Sequence, residues 1–159
     1  PTRRSSDLFQ SKENLYLQTI KRRWKNTINK IDSISKQDGE PQQLLCLILQ
    51  ELVNDMPSRG FIKTIWTEIG SIHHPQDGER IEERDYSNVH NQISHPIGIV
   101  LEKIALSKNK DFEHGVYDQL GKFAFVMAIE VCMHDTADLT MRIDLIVDVL
   151  TSFIEHRNI

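Results

Sequence analysis

The chain has 159 residues, 39% of them apolar and 26% charged, with a formal net charge of −4. This is the balance of one ordinary globular domain, and its acidity does not suit a general nucleic-acid coat, which needs a basic face. Two cysteines, Cys46 and Cys132, cannot build a disulfide framework, and no apolar run approaches the roughly 18 residues of a membrane span.

In chain order, residues 1–8, PTRRSSDL, resemble the translation of a sequencing-library adapter. That resemblance implies a non-native segment, with the native chain starting near Phe9 and residues 9–159 forming a single helical domain that can be the C-terminal part of a longer protein. The alternative is a natural basic tail.

Leu17, Ile20, Trp24, Ile28, Ile31 and Ile34 recur at steps of three and four. They predict a long amphipathic helix whose basic residues, Lys21, Arg22, Arg23, Lys25 and Lys30, lie mostly off the apolar stripe. These cations form either a surface for nucleic acid or membrane or, as Glu13, Asp32 and Asp38 favour, a solvated outer face. Gly39 is expected to end the helix in a left-handed cap, and Pro41 to open the next. From Leu44 to Leu49 that next helix has almost no polar face. It is therefore expected to be the most buried, Leu47 included.

A helix is expected through Phe61, Ile62, Ile65, Trp66 and Ile69. Residues 71–80, around His73, His74, Pro75, Asp77 and Gly78, are expected to form an exposed connection. Helix resumes near Ile81, and Pro96 is expected to start a new one. Phe112, Val116, Leu120, Phe123 and Met127 predict the inward stripe of a helix ending near Met133. Within it, KFAFVMAIEVCM has the β-branched and aromatic content of a strand but the period of a helix. Asp138 is expected to cap a last helix carrying Leu139, Ile143, Ile146, Leu150 and Phe153 inward. The expectation is an all-α single bundle of about six or seven helices.

Three constellations could carry chemistry. His73, His74, His90 and His95 are four of seven histidines, but their spacing does not set them on one helical face as metal ligands. No HExxH, CxxC, P-loop, GxGxxG or nucleophile elbow occurs. His134-Asp135, between an apolar run and a turn, resembles the central doublet of HD-domain metal phosphohydrolases. That resemblance would need His114 upstream and Asp144 or Asp148 downstream to complete a metal shell. The other reading is a histidine at a helix end followed by a capping turn.

Third, RDYSNVH places Arg84 and His90 with five residues between them and Asp85 after the arginine. It resembles the R-x4–6-H signature of HEPN-type helical RNases. The resemblance implies an all-α dimerising domain acting without metal, His90 as acid/base and Arg84 holding phosphate. The alternative is a buried stripe of Ile81, Tyr86, Val89 and Ile93 with Arg84 and His90 solvated beside it.

The expected function is a non-enzymatic helical protein-interaction or regulatory module in the cytoplasm, with no membrane association, no cofactor and no metal. A homodimer is expected through the last two helices, whose apolar content exceeds what a small bundle easily hides. The alternative is a HEPN-like RNase, or an inactive antitoxin relative, using Arg84 and His90 on RNA.

Overall fold

The computed structural model describes residues 24–55, 83–133 and 138–157, with isolated positions 18 and 22. Within 83–133, side chains are described for 90–113 and 115–132. These residues form five helices and, among them, no strand. The count is below the six or seven expected; the helix expected at 61–69 and the connection at 71–80 lie outside the described residues.

Helix α1 (24–35) follows its apolar period: Ile31 is fully buried, and Trp24, Ile28 and Ile34 pack against the core. Polar groups fix the same face. Thr27, almost wholly buried, donates from Oγ1 to the Asp55 carboxylate at 2.8 Å. Lys30 reaches Glu51 at 2.9 Å and Asp55 at 3.7 Å, so one of the basic residues read as solvated tethers α1 to the next helix. Arg22 and Lys25 stand exposed.

Gly39 does not make the expected left-handed cap: no described glycine has a positive φ. The end of α1 is satisfied by Lys103, whose Nζ donates to the carbonyls of Ser35 and Gln37 at 2.9 and 3.0 Å. A distant ammonium thus meets carbonyls that a helix end leaves unpaired.

Helix α2 (Pro41–Asp55) begins at its proline, as a missing N–H permits. Its two rows spaced by four, Leu44/Ile48/Leu52 and Leu45/Leu49/Val53, are buried. Leu47 is 45% exposed, contrary to expectation, because its position lies about 150° round the axis from the centre of those rows. An apolar run in sequence is not an apolar circumference in place.

Helix α3 (Glu83–Ser107) continues through Pro96 instead of starting there. Pro96 cannot donate to the Gln92 carbonyl, a loss that normally breaks a helix. The turns on either side are held by the core, where Ile93, Ile97, Val100, Leu101, Ile104 and Ala105 are all buried. The helix ends in a two-bond cap: Lys110 N–H donates to the Ala105 carbonyl at 2.9 Å and Asn109 N–H to that of Leu106 at 3.0 Å. Asn109 takes the left-handed conformation, φ 55°.

Helix α4 (His114–Met133) confirms the helical reading of KFAFVMAIEVCM, and Val116, Leu120 and Met127 of the expected stripe pack against the core. The buried positions are Tyr117, Gly121, Ala124, Phe125, Ala128 and Cys132, whereas Phe123 is exposed. Gly121 lies where α3 approaches α4 backbone to backbone. A Cβ on Gly98 would stand 3.0 Å from the Tyr117 carbonyl oxygen, and one on Gly121 would collide with that of Ser94.

Helix α5 (Leu139–His156) is capped by Asp138, whose carboxylate accepts from Met141 N–H at 3.2 Å. Ile143, Ile146 and Leu150 point inward, but Leu139 and Phe153 do not. Each of α2 to α5 packs against the other three, which places the core at their common centre.

Candidate functional site

Arg84 and His90 both lie on α3, Arg84 in its first turn. Six residues of helix set the two positions about 120° apart around the axis and about 9 Å apart along it. The helix therefore does not bring them onto one face. The Arg84 side chain is outside the described residues.

His90 is well defined. It is half-buried, and its ring meets Phe125 of α4 edge-on, with centroids 5.0 Å apart and planes at 79°. Phe125 in turn meets Trp24 of α1 at 6.3 Å and 81°. Burial pushes the His90 imidazole below its ordinary value, and the charge of Lys122 pushes it the same way. His90 thus packs on α4 through Phe125, with its neutral form favoured by burial and by the charge of Lys122. Such a ring can accept a proton near neutral pH, but its contact with Phe125 also makes it part of the packing. Nothing in the local sequence points to Lys122 or Phe125 as its neighbours. The only signal is that Lys122 and Phe125 are three apart on one helix.

His95 lies on an exposed part of α3, its Nδ1 3.6 Å from Asp118. Among the described residues, no three His, Cys, Asp or Glu side chains gather as metal ligands. His73, His74, His134 and Asp135, and the side chain of His114, lie outside the described set. Asp144 and Asp148 are exposed on α5. Asp144 lies 3.9 Å from the Cys46 thiol, whose pKa burial and that carboxylate push up. Neither Cys46 nor Cys132 forms a disulfide; Cys132 is buried and Cys46 half-buried.

The second feature is a surface. Among the described residues, the large exposed hydrophobics concentrate on α4 and α5: Phe123, Val126, Leu139, Met141, Leu145, Val149 and Phe153. Met141, Leu145, Val149 and Phe153 are each four apart and 40 to 61% exposed, forming a second stripe on the side of α5 away from the core. Arg157 joins this stripe to α4. Its guanidinium lies 5.2 Å over the Phe153 ring, and it lines a cleft of about 420 Å³ with Val116, Leu120 and Phe123. No helix among the described residues is long and apolar enough to cross a membrane.

Comparison of the chain with protein-family models, with curated proteins and with solved structures gives no match.

Proposed function

We propose that this chain is a non-enzymatic helical interaction module, with regulation of a bound partner as its role, and that it pairs with a second copy of itself through α4 and α5. The carrying observation is the outward ladder Met141, Leu145, Val149 and Phe153, supplemented by Phe123 and Val126. A helix that is apolar on two opposite sides is suited to burial on both, and patches of this kind mark interfaces. Self-association in a symmetric pair is the commonest way to cover one. Two cysteines outside any disulfide fit a reducing, cytoplasmic setting. Light scattering at tens of micromolar tests the pairing. The expected result is a dimer mass for the wild type and a monomer mass for Leu145→Asp with unchanged helicity; a monomeric wild type removes the reading.

A second reading has its own observation. The neutral, half-buried His90 near Lys122 supports acid/base chemistry on RNA in a HEPN-like RNase, with Arg84 holding phosphate, or an inactive antitoxin relative of one. Cleavage of a panel of structured and unstructured RNAs, insensitive to chelators and lost in both Arg84→Ala and His90→Ala, is its expected signature. An intact panel removes it.

A further inference from the structure

We draw no further inference here: the strongest candidate, the apolar cleft between the start of α4 and the end of α5 that Val116, Leu120, Phe123 and Arg157 line, is part of the α4 and α5 surface already described, and nothing in the structure shows what covers it.

Discussion

Gly121 of α4 lies directly against the backbone of Ser94 of α3, close enough that any Cβ there would run into the Ser94 carbonyl oxygen. It would also stand 3.1 Å from the Gly98 nitrogen, so the two helices touch through their main chains where both lack side chains.

Gly121→Ala is therefore expected to destabilise the protein. Helix propensity alone favours alanine by about 1 kcal/mol. Forced overpacking between two backbones costs about 1–3 kcal/mol or more and wins, because neither carbonyl nor helix axis can rotate away as a side chain can. Chemical denaturation of the two proteins compares the terms directly, and an unchanged or raised midpoint would show that the helices part freely.

Two leucines two residues apart on α2 should behave differently. Leu49→Ala leaves a cavity in the core and is expected to cost roughly 2–5 kcal/mol. Leu47→Ala, on the exposed side, is expected to stay within about 0.5 kcal/mol in the same denaturation series. Equal losses would contradict the orientation of the helix.

His90 gives a pH dependence with a definite sign. Its folded pKa lies below the unfolded value of about 6.5, through burial first and Lys122 second. The unfolded chain then binds the proton more readily, so stability from neutral His90 is complete above that unfolded value and is lost as pH falls through the folded one. His90→Phe keeps an aromatic ring against Phe125 and removes the titration. Denaturation midpoints between pH 5 and 7.5 are expected to fall more steeply with acid in the wild type than in this variant; parallel curves would reject the role.

Asp138→Ala removes the carboxylate that accepts from Met141 N–H at the start of α5. A loss of about 1 kcal/mol is expected, the ordinary value of an N-cap, with helical content otherwise kept. Thermal melts checked by circular dichroism measure it.

What the sequence determined by itself was the helical class of the described residues and several of the helix limits. Pro41 and Asp138 open α2 and α5, Met133 closes α4, and the apolar period identifies the core side of α1, because these signals depend on neighbours along the chain. It also exposed Arg84 and His90 as a pair, since a motif is a spacing. Tertiary structure decided the rest. Pro96 sits inside α3 because core burial on both sides holds a helix that local chemistry would break. Gly121 of α4 and Gly98 of α3 sit where the two helices cross, because the approach of their main chains there leaves no volume for a side chain. Leu47, Phe123 and Phe153 stand outside although their apolarity suggested the core, since a bundle this small presents each helix with only a limited arc to bury. His90 meets Phe125 and Lys122 for the same reason: these residues are remote in the chain, and only the packing of α3 on α4 brings them together.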